Sequence, residues 1–288
     1  DDHHHGDIAS DPEDEEIHVA GTLLPAAFSK TSPAPAELPG LFTLSLPSKD
    51  QSLPESDYPR GDGFANLTLS SDGKLRTVAT LADGTKFTAS TELVVEHHHD
   101  DHGDPLPADP GEHEDEDHII APLFAQLRTP GGGPKDLGGT FAGELAFDTH
   151  EEDSDVHGED LVWIRPAVTE LAGTTAAARA TQLYTGGWPQ GITVDVVGAH
   201  YDATIPVQDT LGLGSASPTG NGQLHFAGGK LASDVLVTDF NITGNTAAKL
   251  PPTNRSFTLS FTPATGAFKG TFTPNWEDKA RALPVFQG

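Results

Sequence analysis

Between Glu96 and His118 the chain places six histidines and ten carboxylates in 23 residues, with almost nothing apolar among them. Imidazole nitrogen suits zinc, copper and nickel, whereas carboxylates alone suit calcium and magnesium. His97, His98, His99 and His102, interleaved with Asp100, Asp101 and Asp104, offer a donor to a cation at almost any local geometry. His113 and His118 add a second group five residues apart. Neighbouring carboxylates raise imidazole basicity, and only neutral imidazole coordinates, so capture by such a run is expected to be pH-dependent. The plain alternative for the same residues is a solvated low-complexity loop that keeps the protein soluble.

Two further segments share this composition. Residues 1–18 carry His3, His4, His5 and His18 in an acidic run, and residues 148–160 carry His150, Asp153, Asp155 and His157. Twelve of the 14 histidines therefore lie in or beside acidic runs; His200 and His225 are the other two. The run Asp153-Ser-Asp155-Val-His157-Gly158 echoes the opening of a calcium loop. Its fifth position is His rather than Asp, and its twelfth is Ile164 rather than the bidentate Glu of an EF-hand. Copper, zinc or nickel is thus expected ahead of calcium.

Nothing in the chain points to catalysis. There is no Cys, no Gly-x-Ser-x-Gly, no phosphate loop and no His-Glu-x-x-His. A metalloenzyme needs a few rigid ligands with one open position, and repeated His and Asp in flexible sequence favour storage or cross-linking instead. Among the aromatic residues, Trp163 alternates with Val162 and Ile164 and reads as sheet packing. Trp188, in the run Gly186-Gly-Trp-Pro-Gln-Gly191, reads as an exposed turn. It is the residue expected to contact a ligand, such as a carbohydrate, if the acidic loops serve only solubility.

The elements that must hold these loops are strands. Gly and Pro total 54 of 288 residues, which favours many short strands joined by tight turns. Segments 17–24, 41–46, 63–70, 74–81, 85–95, 119–127, 139–147 and 161–165 alternate or are β-rich, and Asp72-Gly73 and Asp83-Gly84 mark hairpin turns. Residues 25–40, with four prolines, read as a loop. If the strands from 85 to 165 form a simple antiparallel meander, loops 96–118 and 148–160 leave the same end of the sheet. Segment 167–181 reads as a linker with at most a helical turn. Strands near 192–197, 222–226, 235–238, 257–262, 267–273 and 283–286 then build a second domain.

Net charge is -27 with histidine neutral, which argues against nucleic acid or an anionic membrane as partner. No apolar run approaches the 18 residues of a spanning helix. Met is absent and the sequence opens at Asp1, so a processed N-terminus and export are expected.

The order of several short motifs is familiar. In one half these are Gly61-Asp62-Gly63-Phe64-Ala65 with Leu67, Leu81-Ala82-Asp83-Gly84-Thr85-Lys86-Phe87, Pro122-Leu123-Phe124, and Gly138-Gly139 followed by Leu161-Val162-Trp163. In the other they are Gly187, Gly191, Val197-Gly198 and Tyr201, then Phe257-Thr258-Leu259, Pro263, Thr265-Gly266, Phe268, Gly270-Thr271-Phe272 and Val285-Phe286-Gln287-Gly288. Together they resemble a poorly characterised β-rich domain of large secreted bacterial surface proteins, often found beside immunoglobulin-like repeats. The resemblance spans most of residues 40–288 and implies an exported, all-β setting without a transferable active site. The His-acid expansions stand where that pattern has short connections.

The expectation is therefore an all-β chain of two antiparallel β-sheet domains, meander, sandwich or barrel-like, with long acidic His-rich loops. Its parts are an acidic segment 1–18, a domain 19–166, a linker 167–181 and a domain 182–288. The expected role is a secreted or cell-surface structural subunit that binds divalent metal and self-assembles by edge-strand pairing. The alternative is an extracellular ligand- or carbohydrate-binding module.

Overall fold

The structure, a computed structural model, describes residues 25–47, 49, 54, 57–97, 117–129, 137–148, 156–171, 175–176, 183–227, 235–254, 256–274 and 285–288. The strand expected at 17–24 lies outside them. Fifteen strands are described. They are β1 (Gly40–Leu46), β2 (Gly63–Leu69), β3 (Lys74–Thr80), β4 (Lys86–Glu92), β5 (Val94–His97), β6 (Asp117–Arg128), β7 (Leu137–Phe147), β8 (Val156–Arg165), β9 (Trp188–His200), β10 (Gly222–Ala227), β11 (Val235–Thr243), β12 (Thr246–Lys249), β13 (Phe257–Thr262), β14 (Ala267–Phe272) and β15 (Val285–Gln287). The helical elements with described bounds are a 3-10 turn, Val168–Glu170, and one turn of α1, Val207–Thr210.

Nine strands form one antiparallel sheet in the order β4-β3-β2-β1-β9-β8-β7-β6-β5. Its two edge strands are successive pieces of one segment. β4 hydrogen-bonds to β3, the chain passes through Leu93, and β5 then pairs with β6. The sheet is therefore nearly closed on itself. Alternation explains the closure. Leu44, Leu67, Leu75, Phe87, Leu123, Leu145 and Val196 point inward and are buried, while Asn66, Thr68, Arg76, Lys86 and Thr88 face outward. The interior is filled: the space left beside Thr77 and its apolar neighbours is about 10 Å³, too small for any ligand. No helix among the described residues is long and apolar enough to cross a membrane.

The strand expected to open a second domain belongs instead to this sheet. β9 lies between β1 and β8, with Phe42 opposite His200 and Trp163 opposite Ile192. Because β1 needs a partner on its free side, the chain beyond the 3-10 turn returns to supply it. The strands after His200 lie outside this sheet. They form two three-stranded sheets, β10-β11-β12 and β13-β14-β15. Phe226 stacks on Phe272 at 4.0 Å between these two, and Phe240, Ile242 and Phe257 form a small core. The Tyr201 hydroxyl donates to the Pro263 carbonyl at 2.7 Å, and the Asn66 amide donates to the Thr265 carbonyl at 2.9 Å. These two bonds tie the β13–β14 turn to the large sheet.

Candidate functional site

Every neighbouring pair in the large sheet is antiparallel, so its connections alternate between two ends. The chain leaves β5 where His97 opposes Asp117, and leaves β7 where Phe147 opposes Val156. Ile119 opposes Phe147, which puts both departures at one end. The β2–β3 hairpin turn, residues 70–73, lies at that end as well. So does the start of the described chain. Ala26 bridges Val94, the Ala27 amide donates to the Leu93 carbonyl at 2.8 Å, and the Ala34 amide donates to the Ser71 carbonyl at 2.9 Å. Ala34 and Leu38 are buried in the core. Residues 25–39 thus fold across this end, and the chain before Pro25 reaches them there.

Of the candidate ligands, His118 and His157 are described with their side chains, and His97 by its place in β5. The rest, His3, His4, His5, His18, His98, His99, Asp100, Asp101, His102, Asp104, His113, His150, Asp153 and Asp155, lie outside the described residues. His118 on β6 is exposed and opposes Glu96 on β5. Asp148 follows the last residue of β7, and its carboxylate stands 3.7 Å from Nδ1 of His157 on β8. Both members of this pair are about half exposed, so the contact is an open rim pairing. Among the described residues no group of three or more His, Asp or Glu side chains is close enough to hold a metal.

The same rim concentrates negative charge. Glu144 on β7 has its carboxyl pushed above the usual range, first by partial burial and then by Glu96. Such a group is stabilised by proton uptake, and a cation bound nearby substitutes for the proton. On the β2–β3 turn, Asp72 is held down to about 2 by Lys74 and then by Ser70. A depressed carboxyl adds stability above its unfolded pKa that is lost as pH falls through the folded value. The clamp should therefore persist through mildly acidic conditions and open only between about pH 4 and pH 2. Residue-resolved carboxyl titration by NMR reads this directly.

β8 bends where it meets the acidic connection. Between Gly158 and Leu161 its register with β9 slips, and Asp160 takes φ 52°. The Asp160 amide donates to the Asp195 carboxylate at 3.1 Å, and Lys49 reaches both carboxylates at 3.1 and 3.3 Å. This bulge takes residues 156–160 out of the expected loop and into the strand.

The opposite end is closed by aromatic rings, and here the expectation for Trp188 is corrected. Its side chain is 2 % exposed, so it cannot present a face to a saccharide. It packs at 4.6 Å from Trp163, 5.9 Å from Tyr58 and 6.1 Å from Tyr184, measured between ring centroids. Gly187 holds φ 59° directly before it, and a Cβ there would strike the Arg165 and Pro166 carbonyls. The glycines that suggested an exposed turn instead allow the backbone to pass that close.

Above the Trp188 ring, at 5.2 Å, lies the Arg165 guanidinium. It donates to Asp83 at 3.1 Å and to the Leu183 carbonyl at 3.2 Å, with both charged side chains nearly inaccessible. Burial pulls the Arg165 pKa down, and Asp83 opposes that shift. Sequence reading missed this pair because its members are 82 residues apart. Tyr184, beside it, has its phenol pushed up, first by burial and then by Asp83. Stability is thus full below the ordinary tyrosine value of 10.0 and is lost as pH rises from there through the raised folded value. Tyr184→Phe should remove that alkaline loss, read as thermal midpoint against pH between about 9 and 11.

No known protein family, no curated protein and no solved structure matches the chain.

Proposed function

We propose that this is an extracellular structural protein whose acidic His-rich segments capture divalent transition metal at one end of a closed β scaffold. The observation that supports this best is topological. The described ends of all three segments, at Pro25, at His97 with Asp117, and at Asp148 with Val156, occupy one rim. Three separate expansions in sequence are therefore tethered within reach of one another. Solubility alone asks only that charge be spread over the surface, whereas shared coordination needs this convergence. The burial of Trp188 speaks against the carbohydrate-binding alternative, which rested on that residue.

The ligand set is His3, His4, His5, His18, His97, His98, His99, His102, His113, His118, His150 and His157, with Asp100, Asp101, Asp104, Asp153 and Asp155. Copper, zinc or nickel fits this imidazole-rich chemistry better than calcium. Secretion is supported by the resemblance to bacterial surface-protein domains and by the absence of cysteine and methionine.

Titration with Zn²⁺, Ni²⁺ and Cu²⁺ by calorimetry tests the reading. Binding should exceed one ion per chain at pH 7.5 and fall by on the order of tenfold or more near pH 5, as imidazole is protonated. Replacing residues 98–116 with a Gly-Ser linker should remove most of it. Retention of full binding by that variant, or equal affinity for Ca²⁺ and Zn²⁺, overturns the assignment.

A further inference from the structure

The strongly acidic chain keeps one basic face. Arg76 on β3, Lys86 on β4 and Arg128 on β6 point outward from the large sheet, and Lys269 stands on β14. None of the four has a carboxylate partner among the described residues. Lys86, Arg128 and Lys269 line a single open groove of about 580 Å³ between the sheet wall and the β13–β14–β15 sheet. Phe64 and Phe268 contribute apolar surface, Gln126 adds an amide, and no Asp or Glu lines it among the described residues. In a chain with 43 acidic and 16 basic residues, three cations around one groove with no Asp or Glu among its described lining residues is a marked segregation.

The groove has a definite position. Lys86 opposes Thr80 beside the β3–β4 hairpin, and Arg128 opposes Leu137 where β6 ends. Both sites lie at the end of the sheet opposite the rim from which the acidic segments depart. The described chain thus departs toward its acidic segments at one end of the sheet, and the basic groove lies at the other. At physiological ionic strength charges interact over roughly 8 Å, so a docking segment senses the groove rather than the net charge of the whole molecule. Residues 1–16 hold eight carboxylates and no Lys or Arg.

We propose that this groove docks the acidic segment 1–16 of a second copy, so that the protein associates head to tail. Such a contact is heterologous: the surface given differs from the surface received, and repetition builds a ring or an open filament. This goes beyond the metal reading and is independent of it, so the test is run in chelator.

A fluorescein-labelled peptide of residues 1–16 is titrated with the full chain, and self-association is followed by sedimentation velocity. The same measurements are made on Lys86→Glu/Arg128→Glu/Lys269→Glu and on the neutral variant Lys86→Ala/Lys269→Ala, with folding checked by circular dichroism. The wild type should bind the peptide and gain mass with concentration, both weakened by 0.5 M salt. Charge reversal should weaken peptide binding at least about tenfold and leave the chain monomeric, with the neutral variant in between. Equal peptide binding by all three chains overturns the proposal. A wild type that stays monomeric and binds peptide only after its own residues 1–16 are removed also overturns it, because the groove is then filled in cis. Polygalacturonate bound in the groove and not displaced by the peptide overturns it in favour of an acidic polysaccharide.

Discussion

Asp83→Asn should destabilise the protein by about 3–5 kcal/mol, because it leaves the Arg165 guanidinium buried without its counter-charge. The change keeps the size of the side chain, so packing contributes little to the loss. Arg165 and Asp83 are almost fully enclosed, and the pair joins the end of β8 to the β3–β4 hairpin. That contact closes the end of the sheet opposite the acidic segments. Arg165→Leu should cost a similar amount, since it strands the Asp83 carboxylate and withdraws the cation from the Trp188 face. The double variant Asp83→Leu/Arg165→Leu should recover much of the loss, because no charge is then left alone in the interior. Equilibrium urea unfolding measures all three. Single-variant losses under about 1 kcal/mol would mean that water reaches the pair.

Trp188→Ala carries the second large effect, about 3–5 kcal/mol, by opening a cavity among Trp163, Tyr58, Tyr184 and Arg165. Trp188→Phe should cost much less. The Trp188 indole Nε1 is buried without an acceptor among the described residues, so phenylalanine removes an unsatisfied donor together with some volume. Neither variant should alter metal uptake, since Trp188 lies at the end remote from the rim. Thermal melts alongside metal titration check both statements. A Trp188→Ala protein that melts like the wild type would return the residue to the surface.

Most of the large sheet from β1 to β8 was legible because its strands are consecutive and alternate apolar with polar residues, but the single strand expected at 85–95 divides at Leu93 into β4 and β5, which pair with β3 and β6. The two Asp-Gly turns fixed the β2–β3 and β3–β4 hairpins locally, and antiparallel sense then placed the acidic connections at one end. What could not be read was non-local. β9 pairs with β1 across about 150 residues, and nothing in the sequence of either strand names its partner. Trp188 was misread because Gly186-Gly187 signals a turn equally well in solvent or against a buried carbonyl. The basic groove was invisible for the same reason: Lys86, Arg128 and Lys269 are unremarkable singly and become a surface only when β4, β6 and β14 are brought together. The metal assignment rests on residue type, whereas the sheet supplies only the place where those residues are tethered.

That place is open to direct measurement. The chain has no cysteine, so Ser71→Cys and Glu170→Cys each accept one spin label at a unique site. Ser71 lies on the hairpin at the rim, and Glu170 ends the 3-10 turn beyond β8 at the opposite end. One equivalent of Cu²⁺ is added to each labelled protein, and relaxation of the label by the bound ion is read by electron paramagnetic resonance. Strong, pH-reversible relaxation of the label at 71, with little at 170, is the predicted result. Equal relaxation at both sites, or none at 71 with copper bound, would contradict the claim that the acidic His-rich segments gather metal at one end of the scaffold.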